Sequence, residues 1–406
     1  MITKKIDNIF DIVFSILLFS LTISTAIPNI LLAVLFLIFL FKKDKIIFSN
    51  NYTKLILVFI GYIFLKAIFF NSFFENFNIY KHLLVISFLS FLSFNIKNIT
   101  FVLKGYVLGV FLGVLISFFK ILKFYFSFKT LPFGNTSEVQ DLILIHRPYF
   151  GFMCLIAIVL VDVLLFKFKS KKGQVFYLII AFFIIFFLYL IVARLALFLT
   201  FIYLIVRFIS CLKFSRTKSI ISIFSFVVVV ASVFVMNKNI KDRLHIKNSY
   251  EETIKVLKNQ EPRFVIWNCF LDQINKNDFN LFFGYNNRKT IQENLNKCYN
   301  TNIGNVSKRD YYLETKFNTH SQIFDVFLDG GIIGCVLLLN TFLFLIYTLR
   351  KNFHSIFIMC SFFVFLLLEN LFNRQLGVYL LGIFIPLFYH MFALEKNEKK
   401  KNYIGY

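Results

Sequence analysis

Arg194, Arg263 and His320 are the residues of this 406-residue chain whose types and placement suggest chemistry. Arg194 interrupts a nearly continuous apolar run from Val175 to Leu212. A guanidinium at the centre of a spanning helix costs about 2.5–3.5 kcal/mol on insertion scales, so it either snorkels to the interface or has a task. Arg263 follows Pro262, a first-turn proline that predicts a helix through about Ile274. Arg263, Trp267, Phe270 and Ile274 recur on one face of that helix, which fits an interfacial helix lying on headgroups or one that aims a cation at a ligand. His320 stands in Asn318-Thr319-His320-Ser321-Gln322, just ahead of the apolar stretch Ile323 to Tyr347. The spacing Thr319-x-x-Gln322 reads as a capping box and puts His320 in the first turn of a spanning helix. The positive end of a helix disfavours imidazolium, and a neutral imidazole can act as a general base. A lone histidine at a helix end needs no chemistry, but its combination with two arginines on the same side of the membrane makes a site plausible.

The elements that must position these residues follow from composition. The chain is 58% hydrophobic and 16% charged, against about 25% charged in soluble domains. That excludes a soluble enzyme, a disordered chain and a disulfide-stapled secreted scaffold, and leaves a polytopic membrane protein. The net charge of +23 sits in short clusters between apolar runs, such as Lys42/Lys43/Lys45, Lys167/Lys169/Lys171/Lys172, Lys213/Arg216/Lys218 and Lys396 to Lys401. This is the positive-inside pattern of cytoplasmic loops, not a nucleic-acid-binding face. No small-residue cleavage site opens into a polar mature domain, so the first apolar segment reads as a retained helix.

The expected fold is all-α, with about 12 transmembrane helices and both termini cytoplasmic. Residues 1–147 hold about five spans and the first outer loop, and residues 148–236 the central spans with Arg194 as a fold-back point. Residues 237–320 form a polar, helical periplasmic loop domain between the ninth and tenth spans, where Ser249-x-x-Glu252 reads as a second capping box. Residues 321–394 are the C-terminal spans and 395–406 a basic cytoplasmic tail. Cys269 and Cys298 are the two cysteines of the outer loop, where disulfides persist. They read as a pair, with two free thiols as the alternative. Cys154, Cys211, Cys335 and Cys360 lie in apolar runs and read as packing residues.

Thr319-His320-Ser321-Gln322-Ile323-Phe324-Asp325-Val326-Phe327-Leu328-Asp329-Gly330-Gly331-Ile332-Ile333-Gly334 resembles the signature of the O-antigen ligase family. This family of bacterial membrane glycosyltransferases also takes in O-antigen polymerases. Arg194-Leu195-Ala196-Leu197, Arg263-Phe264-Val265-Ile266-Trp267 and Leu281-Phe282-Phe283-Gly284-Tyr285 resemble its further motifs in order, although Ala193 stands where Ser is frequent. The resemblance extends over about residues 146–390, and over the first five spans by hydropathy only. It implies a GT-C-like fold in the bacterial inner membrane with its active site facing the periplasm. The implied reaction moves a glycan from polyprenyl (undecaprenyl) diphosphate to lipid A-core oligosaccharide, with inversion and with no metal or other cofactor. His320 would be the catalytic base, and Arg194 and Arg263 would hold the diphosphate.

Supporting candidates are Arg147, Tyr149, Trp267, Tyr285, Glu369, Arg374 and Gln375, with Glu369 and Arg374 also readable as an ion pair closing the bundle. Asp325 and Asp329 are expected to face the bundle interior. The implied partners are the lipid-linked donor, the lipid A-core acceptor and membrane lipid, with no nucleic acid. The nearest rival is an O-antigen polymerase, which uses a second lipid-linked glycan as acceptor, followed by a protein oligosaccharyltransferase of the same superfamily. A transporter is the rival from another class, and the chain lacks the internal repeat that a transporter would show.

Overall fold

The computed structural model describes residues 2–42, 51–129, 141–165, 167, 170–211, 249, 251–252 and 261–404. Among them are 14 helices, and β pairing is confined to one isolated bridge, Asn280 with Gly284. The helices are α1 (Ile2–Ser20), α2 (Ile27–Phe41), α3 (Asn51–Phe69), α4 (Phe77–Phe94), α5 (Ile99–Phe128), α6 (Arg147–Leu165) and α7 (Lys171–Ile191). They continue with α8 (Arg194–Cys211), α9 (Pro262–Ile274), α10 (Arg288–Asn302), α11 (Val306–Glu314), α12 (Gln322–Leu349), α13 (Phe353–Leu368) and α14 (Gln375–Ile404).

The all-helical, multi-pass class holds, but the described residues do not supply twelve spans. Seven helices, α3 to α7, α12 and α14 over Gln375–Ala393, are long and apolar enough to cross a membrane. α2 and α13 are apolar but have only 15 and 16 residues, about 22–24 Å at 1.5 Å per residue against a hydrocarbon core of about 30 Å. α1 carries Lys4, Lys5, Asp7 and Asp11 in its first half. The expected ninth span, 219–236, lies outside the described residues.

The chain divides into two compact units. The first, Met1–Lys42 with Lys97–Ile254, holds α1, α2 and α5 to α8. Close approach of small residues organises it, as is usual between membrane helices. On α5, Gly105 and Gly109 face α1 and Gly113 faces Thr22 in the turn after it: a Cβ on Gly109 would lie 2.3 Å from the Phe19 carbonyl oxygen. Thr22 Oγ1 donates to the Gly109 carbonyl at 2.7 Å. α7 ends where Val192 turns left-handed (φ 51°), and α8 starts at Arg194, so the long apolar run folds back where the arginine predicts. A Cβ on Gly151 would meet the Ala193 and Ala196 methyls at 2.6 and 3.0 Å, so α6 and α8 begin at the same end of this unit.

The second unit, Lys43–Ile96 with Lys255–Tyr406, holds α3, α4 and α9 to α14. Within it α9, α10 and α11 form a small helical domain around Ile266, Phe270, Leu295, Tyr299 and Tyr312, to which α12 adds Leu328. A disulfide joins Cys269 of α9 to Cys298 of α10, with Cα atoms 5.7 Å apart. Pro262 occupies the first turn of α9, which ends at Ile274. Ser249 Oγ accepts the Glu252 N–H at 3.1 Å, the first half of a capping box. The aromatic face of α9 packs against α12. Phe270 stacks on Phe324 of α12 at 4.1 Å, and Trp267 meets the same ring edge-on at 5.6 Å.

Candidate functional site

The start of α12 differs from the sequence expectation. Its N-cap is Ser321, whose Oγ accepts the Phe324 N–H, and the helix begins at Gln322. Thr319 is drawn elsewhere: its hydroxyl donates to the Ser321 carbonyl at 2.9 Å and meets the Asn370 side chain. Gln322 does not reach back to the cap, because its Oε1 accepts the Phe372 N–H at 2.8 Å. His320 therefore sits just before the helix, in a left-handed turn (φ 46°) held by its N–H on Asn318 Oδ1 at 3.1 Å.

That turn aims the imidazole at Glu369, the C-cap residue of α13. His320 Nδ1 lies 3.8 Å from Glu369 Oε2, and the ring packs against Phe317 at 5.2 Å. The other oxygen, Glu369 Oε1, accepts from Arg263 Nη2 at 2.8 Å. Arg263 also donates to the Leu368 carbonyl at 3.2 Å, and its Nη1 lies 3.7 Å from Glu261. Two residues far apart in sequence thus share one carboxylate. The His320 and Arg263 side chains keep 27% and 29% exposure while Glu369 keeps 11%, so the cluster opens at its two basic ends.

Below this cluster α12 is broken. Gly331 (φ 60°, ψ −161°) interrupts the helix, and the groups it frees are taken up by the loop after α9. The Leu328 carbonyl accepts the Tyr285 N–H at 2.7 Å, and the Ile332 and Ile333 N–H groups donate to Leu281 and Phe282 at 2.9 and 3.4 Å. Gly284, also left-handed (φ 73°), lies so close that a Cβ there would sit 2.4 Å from the Leu328 oxygen. Two of the sequence motifs, Leu281 to Tyr285 and Gly330 to Gly334, are therefore halves of one backbone joint. Two residues of α3 finish it. Tyr62 donates to the Gly330 carbonyl at 2.7 Å, and Lys66 Nζ donates to the carbonyls of Asp329 and of Tyr285, the latter at 2.7 Å. Irregular backbone at membrane depth survives only with such internal partners.

The joint carries a charge network. Arg288, at the start of α10, reaches Asp325 at 2.5 Å and Asp329 at 3.0 Å, and Lys66 lies 3.3 Å from Asp329. Burial works against the Arg288 charge, but the two carboxylates outweigh it and hold its pKa above the usual arginine range. Two cations balance two carboxylates. Asp325 and Asp329 are 3% and 4% exposed, in accord with their expected inward orientation.

The remaining candidates separate. Arg194 opens α8 and is half-buried, and buried Arg147 and Tyr149 open α6 at the same end of the first unit. Arg263, His320, Trp267, Tyr285, Glu369, Arg374 and Gln375 belong to the second unit. Tyr285 is a core residue there: its hydroxyl donates to the Gln273 carbonyl at 2.9 Å, and burial pushes its phenol up to about 12. The Trp267 indole N–H is buried with no hydrogen-bond partner among the described residues. Gln375 begins α14, and Arg374 precedes it, its carbonyl accepting the Val378 N–H. The Glu369 carboxylate, expected to face Arg374, meets Arg263 and His320.

Arg288, Lys66 and Tyr62 escaped sequence reasoning. Lys66 had a signal, a charge inside an apolar run. Arg288 had none, sitting in Asn286-Asn287-Arg288-Lys289 like any solvated loop cation.

Compared with protein-family models, residues 179–339 match the one described as O-antigen ligase, as the motifs imply. The matched stretch contains Arg194, Arg263 and His320 and stops short of Glu369. No curated protein matches the chain.

Proposed function

We propose, from the match of residues 179–339 of this multi-pass membrane chain to the O-antigen ligase family model, that it transfers a glycan from undecaprenyl diphosphate to lipid A-core oligosaccharide on the periplasmic face of the inner membrane. The family implies a lipid-linked glycan and a lipid acceptor; the particular donor, acceptor and chemistry are our reading. The observation that carries it is the convergence of Arg263 and His320 on Glu369 ahead of α12. His320 takes the proton of an acceptor hydroxyl as that oxygen bonds to the anomeric carbon. The bond from that carbon to the diphosphate oxygen breaks on the opposite face, giving inversion. Arg263 receives the developing negative charge through its forked donors, and Arg194 takes the same role on the strength of the family motif. The reaction as drawn needs no metal, since guanidinium groups neutralise the leaving group.

The test is reconstituted transfer with a polyprenyl diphosphate-linked glycan and lipid A-core. His320→Ala should lose about 10²–10⁴-fold in rate, the usual worth of a general base. Arg194→Ala and Arg263→Ala should raise the donor KM as well as slow turnover, and Lys at either position should rescue only in part, because a point charge lacks the bidentate fork. A His320→Ala protein that transfers at the wild-type rate overturns the assignment. A wild-type protein that elongates lipid-linked glycan without capping lipid A-core replaces the ligase by a polymerase.

A further inference from the structure

Both forked edges of the Arg263 guanidinium already hold a hydrogen bond through Nη2, while Nη1 stands 3.7 Å from Glu261. Nε and Nη2 donate to the Leu368 carbonyl, and Nη2 also to Glu369. A guanidinium offers five N–H groups in a fixed fork, so gripping a diphosphate in bidentate fashion means giving up one of these acceptors. The carboxylates are the ones a phosphate replaces, since like charges would otherwise crowd the same cation. Of the two, Glu369 has somewhere to go. Its Oε2 already stands 3.8 Å from His320 Nδ1, about 1 Å beyond hydrogen-bond distance. Its backbone is anchored by its N–H on the Phe365 carbonyl at 2.9 Å, so only the side chain need shift. His320 Nε2, the other ring nitrogen, has no hydrogen-bond partner among the described residues.

We propose that Glu369 is a positioning residue that the donor's diphosphate displaces from Arg263 onto His320. The inference rests on the glycosyl-transfer reading above and adds an order to it. With Glu369 on Arg263, the imidazole is without a firm orienting acceptor. Once the diphosphate takes the guanidinium, the carboxylate accepts Nδ1–H, which fixes the tautomer that leaves Nε2 as the base and stabilises the imidazolium formed when Nε2 receives the acceptor's proton. The base is thereby completed only when a donor is present. Glu369 is both an internal competitor for the donor and a promoter of the chemical step, and removing its charge moves the two kinetic constants in ways a structural ion pair would not.

The experiment compares full-length wild type, Glu369→Gln, Glu369→Asp and His320→Ala in proteoliposomes, varying donor at saturating acceptor. Glu369→Gln should lower the donor KM several-fold while lowering kcat by about 10–10²-fold, part of the worth of the base it orients. Glu369→Asp, which keeps the charge on a shorter arm, should return the donor KM towards wild type and recover only part of kcat. Inorganic pyrophosphate, used as a competitive inhibitor, should bind Glu369→Gln more tightly than wild type. A Glu369→Gln donor KM that is unchanged or raised overturns the competition, and an unchanged kcat overturns the orienting role. If Glu369→Gln fails to insert, Glu369→Asp decides the case, since wild-type values of both constants there refute the proposal. His320→Ala separates the two levels. Its loss beside wild-type kinetics in Glu369→Gln sinks this inference alone, whereas wild-type turnover in His320→Ala sinks the reading beneath it.

Discussion

Substituting Gly331 by Ala should undock the loop after α9 from α12, while the same change at Gly334, three residues on in the same motif, should be harmless. The Gly331 backbone (φ 60°, ψ −161°) lies where essentially only glycine is found, and a side chain there costs about 1–3 kcal/mol in strain. Space is the second cost. A Cβ on Gly331 would lie 2.2 Å from the Phe282 oxygen, 2.3 Å from its carbonyl carbon and 2.6 Å from the Phe283 nitrogen, all backbone atoms. Relief requires the loop to withdraw, losing the three hydrogen bonds that join Tyr285, Leu281 and Phe282 to α12, each worth about 1 kcal/mol. The sum is about 4–6 kcal/mol. At Gly334 the nearest atoms are Val326 Cγ1 at 3.4 Å and Tyr62 Cε1 at 3.5 Å, which is ordinary contact, and Ala favours the helix there by up to about 1 kcal/mol. Denaturant titration of the purified proteins in mixed micelles measures the difference. Limited proteolysis between Asn275 and Asn287 reports whether the loop has come free. Equal stability of the two variants within about 0.5 kcal/mol would refute the claim that these motifs form one backbone joint.

Arg288→Met should cost about 3–5 kcal/mol, because it strips a buried partner from Asp325 and Asp329. Adding Asp325→Asn should recover part of the loss, and a double variant no more stable than the single one would show that the groups are not coupled. Replacing Cys269 and Cys298 together by Ser should cost about 2–5 kcal/mol in the same titration. Mass mapping without reductant should find neither thiol alkylated, and alkylation of both would mean that the pair does not form.

The sequence by itself determined the all-helical membrane class of the protein and several of its helix boundaries, because both depend on local quantities. Hydropathy over about 20 residues marks a span, so the fold-back at Arg194, the first-turn Pro262 and the end of α9 at Ile274 were all legible. Arg194, Arg263 and His320 stood out as candidates from residue type and position alone. Local spacing misled at Thr319, since a capping box looks the same whether or not a distant Asn370 claims the hydroxyl. The expected partnership of Glu369 with nearby Arg374 missed Arg263, which arrives from α9, more than a hundred residues earlier in the chain. Only the tertiary structure decided these pairings, together with Lys66 of α3 against Asp329 of α12 and Arg288 across both aspartates. Helical periodicity says which face a charge occupies, but not which helix that face will meet. The Gly331 break has the same origin: its glycine is needed because another backbone, at Phe282, comes within contact distance, and that approach exists only once the chain has folded.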